Sequence, residues 1–176
     1  EKKTFEFKRA SGTSRGILTE KHAWFIQVWE ASSPDIKGIG ECSIIIGLSP
    51  DFKDFETYES KLQDVIANVN HYKNHLHEIV DFPSIYFGLE TALLDLKNGG
   101  KGIYFDTPFT HGKQAIPING LVWIGDKDFM MAHVKNVLKQ GFTCVKIKIG
   151  AIDFDQELSI LDKIRNEYSS EDIVLR

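Results

Sequence analysis

Residues 143–150 read TCVKIKIG, a run of β-branched and apolar side chains interrupted twice by lysine, at Lys146 and Lys148. Side chains alternate across a strand, so Val145, Ile147 and Ile149 are expected to face one way and the two amines the other. Lysine has a reference pKa of about 10.4, and desolvation and a neighbouring like charge each favour its neutral form. A lysine pair inside a closed site is therefore a route to a general base near neutral pH. On a sheet with one wet face, the same spacing is an ordinary solvated pattern. Spacing alone does not choose between the two readings.

Other residues invite a chemical reading. Glu41, in GECS at 40–43, is better read as a structural carboxylate at a strand end than as a catalytic one. His71, His75 and His77, in HYKNHLH, put two histidines four apart on one helix face, which is a metal-ligand spacing. With no Asp, Glu or Cys judged to be suitably spaced, no metal site is expected there. Cys42 and Cys144 fall in separate apolar segments that read as strands, and two cysteines make no disulfide framework. Both are expected to be buried, reduced thiols.

The 176 residues are 42% hydrophobic and 26% charged, with a formal net charge of −4, so the chain is ordinary globular material with enough apolar residues for one sizeable core or two small ones. Acidic and basic residues are mixed along it, with no basic stripe to neutralise phosphates, and no nucleic-acid partner is expected. No apolar run approaches the roughly 20 residues that span a bilayer, and EKKTFEFKRA at the start lacks the apolar centre of a signal peptide. These features point to a cytoplasmic protein with no membrane partner.

The elements that would position these residues fall into two rhythms. KTFEFKRA, AWFIQVWEA and GIGECSIII, separated by turn-rich stretches, predict a three-stranded antiparallel meander whose middle strand is partly covered on both faces. Apolar residues at three- and four-residue spacing predict one amphipathic helix from about Phe55 to Leu76. A second helix is predicted in PSIYFGLETALLDLKNGG, with Pro83 in its first turn and Gly99-Gly100 as its stop. Residues 99–113 read as a linker. From Gln114 the order is strand (AIPINGLVW), helix (Asp126–Lys139), strand (TCVKIKI), helix (Asp153–Tyr168) and strand (DIVLR). Gly141 ends the first of these helices, and Asp153 with Gln156 forms a capping box on the second. Strands alternating with helices predict a parallel sheet.

GFTCVKIKIGAIDFDQELSILDKIR resembles the second strand and following helix of the enolase superfamily barrel. RGILTEKHAWFIQV, GIGECSIIIGLSPD and PSIYFGLETALLDLKNGG resemble the superfamily's capping domain in the same order, and PINGLVWIGD extends the likeness across essentially the whole chain. The resemblance implies an α+β capping domain over residues 1–113, a three-stranded antiparallel meander plus helices. Residues 114–176 would be the first strands and helices of an enolase-type (β/α) barrel, truncated in the third strand. It further implies that Lys148 is the catalytic base and Lys146 its electrostatic partner. The implied chemistry is removal of a proton beside a carboxylate to give an enediolate, then loss of hydroxide, as in the superfamily's dehydratase of menaquinone biosynthesis. Mg²⁺, or Mn²⁺, is the implied cofactor, with its ligands and a second lysine beyond Arg176.

Within that frame, the loops 11–16 and 46–51 are expected to close over a small-molecule carboxylate substrate. Ser14, Arg15, Leu48 and Ser49 are candidate binding residues, although plain turn chemistry explains such residues equally well. Asn119 and Trp123, at the end of the first barrel strand, are candidate pocket-lining residues, with core packing an equal alternative for Trp123. Oligomerisation is left open. Competing readings are a dipeptide epimerase or N-acylamino acid racemase of the same superfamily, and a non-catalytic α/β binding module. The chain by itself is expected to be inactive.

Overall fold

Alternation in AWFIQVW folds the middle of the chain's first sheet so that Trp24, Ile26 and Val28 are buried while Gln27 and Trp29 are exposed. The opposite face is thus more open than the sequence suggests, Phe25 being only half-buried beside Phe5. The computed structural model describes residues 1–13, 16–123, 125–150 and 153–176. The chain divides into two compact units, residues 1–11 with 18–114, and residues 12–17 with 115–176.

The strands β1 (Lys2–Thr13), β2 (Gly16–Glu30) and β3 (Ser33–Ile44), which apart from residues 12–17 belong to the first unit, lie in the order β1-β2-β3. β2 and β3 pair antiparallel, with Trp24 opposite Cys42 and Ile26 opposite Gly40. The helix α1 (Phe55–Ala67) starts where the Asp54 carboxylate accepts from the Thr57 N–H at 2.7 Å. It does not run on to Leu76 as its periodicity predicts. Asn68 donates from Nδ2 to the Asp64 carbonyl at 3.1 Å and leaves helical geometry, at φ −112°. A short side-chain amide competing for helix hydrogen bonds is a sufficient reason for the break. A one-turn helix, α2 (Val69–Tyr72), and a 3₁₀ turn (Leu76–Ile79) follow.

The helix α3 (Pro83–Lys97), with Pro at its first position, lies directly on β3. That approach depends on glycine. A Cβ at Gly40 would collide with the Gly88 carbonyl, and one at Gly88 with the Cys42 sulfur. Tyr58, Val65, Ile44, Ile85 and Leu89 are buried between sheet and helices, each such aliphatic side chain contributing about 1.5–3 kcal/mol by leaving water.

In the second unit β4 (Gly120–Val122), β5 (Cys144–Ile147) and β6 (Val174–Leu175) form a parallel sheet in chain order. The helices α4 (Lys127–Lys139) and α5 (Phe154–Glu167) alternate with the strands, and Gly141 adopts the left-handed conformation after α4, at φ 89°. Val122, Val145, Ile147, Met130, Val134, Ile160 and Ile164 make this unit's own core. The strands are shorter than the sequence suggests, most of all β4, where nine residues were expected and three pair. No helix among the described residues is long and apolar enough to cross a membrane.

Candidate functional site

Parity along β5 decides where the lysines go. Val145 is fully buried and Ile147 is 8% exposed, both packed beneath the helices. Lys146 between them therefore faces the other side and is exposed, as is Lys148 just past the strand's end. Ile149 departs from the expected alternation. It is 66% exposed and does not pack beneath the helices, because pairing ends at Ile147 and Gly150, at φ 88°, turns the chain. Cys144 is half-buried, against expectation, because it shares parity with Lys146 and faces away from the core.

β4 contributes to the same sheet face. Leu121 pairs in register with Lys146. Gly120 and Val122 are buried, so Asn119, Leu121 and Trp123 alternate to the lysine side, where Trp123 is 46% exposed. Asn119 donates from Nδ2 to the Gly120 carbonyl at 3.3 Å, and the Trp123 N–H donates to His133 Nδ1 at 3.4 Å. The structure thus gathers Lys146, Asn119 and Trp123 on one open face, with Lys148 at its edge. Chemically, this is an apolar floor carrying amines, suited to a small anionic molecule.

Carboxylates near the carboxyl ends of these strands are already engaged. Asp126 accepts from the Phe129 N–H at 2.9 Å, and Asp153 from the Asp155 and Gln156 N–H groups at 3.1 and 3.3 Å. Glu157, 8% exposed, accepts from the Gly150 N–H at 2.6 Å. Each carboxylate fixes a strand-to-helix turn, which holds the backbone around the lysines in place.

Ser14 and Arg15 lie outside the described residues. Leu48 and Ser49 belong to a closed turn: both their N–H groups donate to the Ile45 carbonyl, at 2.9 and 2.8 Å, and Ser49 Oγ accepts from the Ile45 N–H at 2.9 Å. Ser49 also lines a cavity of about 460 Å³ with Glu41, Ser43, Asp51 and Ser84. Asp51 is a residue that sequence reasoning missed. It is 8% exposed, takes the Ser84 N–H at 3.0 Å and the Ser84 hydroxyl on Oδ2, and leaves Oδ1 buried without a partner among the described residues. Its only sequence signal is an acid 33 residues before Ser84, the second residue of α3, which no local pattern reads.

Glu41 has structural ties, as expected. It accepts from Ser43 and from Lys21 Nζ, the latter at 3.0 Å, and these hydrogen bonds, Ser43's first, lower its pKa. Cys42 beside it is fully buried, and burial pushes its thiol up to about 12.

The histidines require a correction. Glu78 is a carboxylate at usable spacing after all: the break at Asn68 and the 3₁₀ turn fold it back, so that its Oε2 lies 2.8 Å from His71 Nε2. His71 and His75 stack with ring centroids 4.4 Å apart.

No family model matches the chain. An α+β unit followed by parallel strand–helix repeats is nonetheless shared along its whole length with solved structures of the enolase superfamily, so the fold is that superfamily's capping domain followed by part of its barrel. The sequence is 36% identical to the o-succinylbenzoate synthase of Desulfotalea psychrophila, over 97% of this chain and 54% of that protein. The crystal structure of MenC from D. psychrophila LSv54 matches at a TM-score of 0.66 and 29% identity, covering 100% of this chain and 55% of that one. The o-succinylbenzoate synthase of Thermosynechococcus elongatus BP-1, complexed with Mg in its active site, matches at a TM-score of 0.73 and 16% identity, over 100% and 49% of the two chains. That last likeness shows the fold alone. The chain spans about half the length of the relatives it matches.

Proposed function

We propose that the chain is the amino-terminal portion of an o-succinylbenzoate synthase. Residues 1–113 are its capping domain, and residues 114–176 the first strands and helices of its barrel. The observation that carries this reading is the sequence similarity to the D. psychrophila enzyme along nearly the whole chain. The open lysine face agrees with it. In the complete protein Lys148 takes the proton from the carbon bearing the carboxylate of 2-succinyl-6-hydroxy-2,4-cyclohexadiene-1-carboxylate, and the electron pair moves into the carboxylate as an enediolate. The pair then returns to form the ring double bond as the neighbouring hydroxyl departs with the proton held by Lys148, giving o-succinylbenzoate and water and restoring the free amine. Lys146 is the second positive charge on that face, and Asn119 and Trp123 line it. Arg15 and Ser14, with Leu48 and Ser49, belong to the loops proposed to cover the substrate.

The described residues on the lysine face do not fit Mg²⁺ or Mn²⁺, hard cations that take oxygen donors. The face offers amines, apolar groups and the single carboxamide of Asn119, and Asp126, Asp153 and Glu157 hold backbone N–H groups. Ligands for the proposed enzyme's cation therefore come from elsewhere. The mixed surface charge fits a cytoplasmic enzyme acting on a small molecule.

The test is an assay of the full-length protein with the cyclohexadiene carboxylate and with a panel of dipeptides. Rapid release of o-succinylbenzoate, with dipeptide epimerisation absent or slower by orders of magnitude, is expected. Efficient epimerisation without dehydration would move the protein to the epimerase reading.

A further inference from the structure

The break in the first helical segment has a chemical result. His71 lies within the one-turn helix α2, His75 precedes the 3₁₀ turn, and Glu78 lies within that turn, so three potential ligands converge although no regular helix joins them. One ligand atom from each lies within 4.8 Å of the others. His71 Nε2 and Glu78 Oε2 are already 2.8 Å apart. His75 Nδ1 lies 2.9 Å from the His71 carbonyl. A carbonyl only accepts, so Nδ1 carries the hydrogen and Nε2 of His75 keeps its lone pair for a ligand. This is the outer contact that metal-binding histidines commonly make, fixing tautomer and ring orientation.

We propose that His71, His75 and Glu78 form a surface site for a zinc-class dication, with solvent completing the coordination. Two imidazoles and one carboxylate form a recognised donor set for such ions, and the nitrogen donors select against Mg²⁺, which the proposed active site would use. Metal–ligand bonds of about 2.0–2.2 Å place tetrahedral ligands roughly 3.4 Å apart, so the His71–Glu78 pair, at 2.8 Å, must open by about 0.6 Å and any pair near the 4.8 Å limit must close by about 1.4 Å. All three side chains are exposed, and rotation about their own bonds supplies that movement without disturbing the core. The ion replaces the proton shared by His71 and Glu78, which passes to solvent. Binding would fasten α2 to the 3₁₀ turn and so stiffen the connection that leads into α3, a stabilisation that grows with the free metal concentration.

The site is tested independently of catalysis by titrating the 176-residue chain with Zn²⁺ in a calorimeter, with histidine ring resonances followed by NMR. One equivalent is expected to bind, shifting the His71 and His75 signals and raising the melting temperature, while Mg²⁺ at the same concentration does neither. His71→Ala, His75→Ala and Glu78→Gln are each expected to weaken binding by about tenfold or more, and His77→Ala by no more than about twofold. Unchanged circular dichroism in each variant shows that the fold is kept. Absence of zinc binding below about 1 mM, or affinity unchanged in His71→Ala and His75→Ala, would overturn the proposal.

Discussion

At the scale of single residues, the two cysteines show how strand parity sets reactivity. Cys42 points between β3 and α3, is fully buried, and has its thiol pushed up to about 12 by desolvation. Cys144 has the opposite parity to the core residues of β5 and is half-buried. In the native chain near pH 8, a thiol reagent is expected to modify Cys144 at least about a hundredfold faster than Cys42, since the thiolate is the reacting species. Peptide mapping after alkylation measures the ratio, and equal rates would show that the packing of α3 on β3 is wrong. The same shift carries a sign for stability. The folded-state pKa is raised, so the buried thiol's contribution is fully present below the unfolded value of about 9 and is lost as pH rises toward 12. Unfolding midpoints followed from pH 8 to 11 should fall across that window, and Cys42→Ala should flatten part of the fall.

At the scale of elements, the tightest joint is between β3 and α3, where Gly40 and Gly88 bring backbone against backbone. Gly88→Ala gains helix propensity but places a methyl group into the Cys42 sulfur. The clash is expected to dominate, with a net loss of about 3 kcal/mol in denaturant unfolding. A neutral or stabilising result would mean that the helix sits farther from the sheet. Joints of this kind mark the limit of what the chain's pattern reveals. The meander, α3, and the alternation of strands and helices after Gln114 are legible because each follows a period of two or 3.6. The end of α1 at Asn68 is not, because the apolar spacing continues through it while the amide side chain takes the Asp64 carbonyl. Asp95 shows the same blindness: it is buried on α3 and accepts from Ile39 N–H at 3.0 Å and Gly102 N–H at 2.6 Å, tying three segments together, yet in sequence it is one acid in an amphipathic helix. In the candidate site, the common face of Lys146, Asn119 and Trp123 is legible from strand parity. The exposure of Ile149 is not, since it depends on where pairing stops. The use of Asp126 and Asp153 as helix caps follows from their positions before α4 and α5, whereas Glu157's bond to Gly150 depends on a turn that only the fold defines.

At the scale of the whole molecule, each of the two units has its own apolar core, and the lysine-bearing sheet face lies outside the core of the second. Leu121, Trp123 and Val174 on that face are 38%, 46% and 55% exposed, a set of large apolar side chains around Lys146. An exposed apolar sheet face with amines on it suits the inner wall of a barrel, where inward residues near the strand ends do the chemistry. We propose that Lys148, at the edge of this face, moves the proton in the full-length protein. The most direct test is turnover of the cyclohexadiene carboxylate by full-length Lys148→Ala and Lys148→Arg, with circular dichroism and melting temperature measured alongside. Both variants are predicted to keep the fold and to lose kcat by about a thousandfold or more, because alanine carries no base and a guanidinium stays protonated. Turnover within a few-fold of the parent in either variant would contradict the claim.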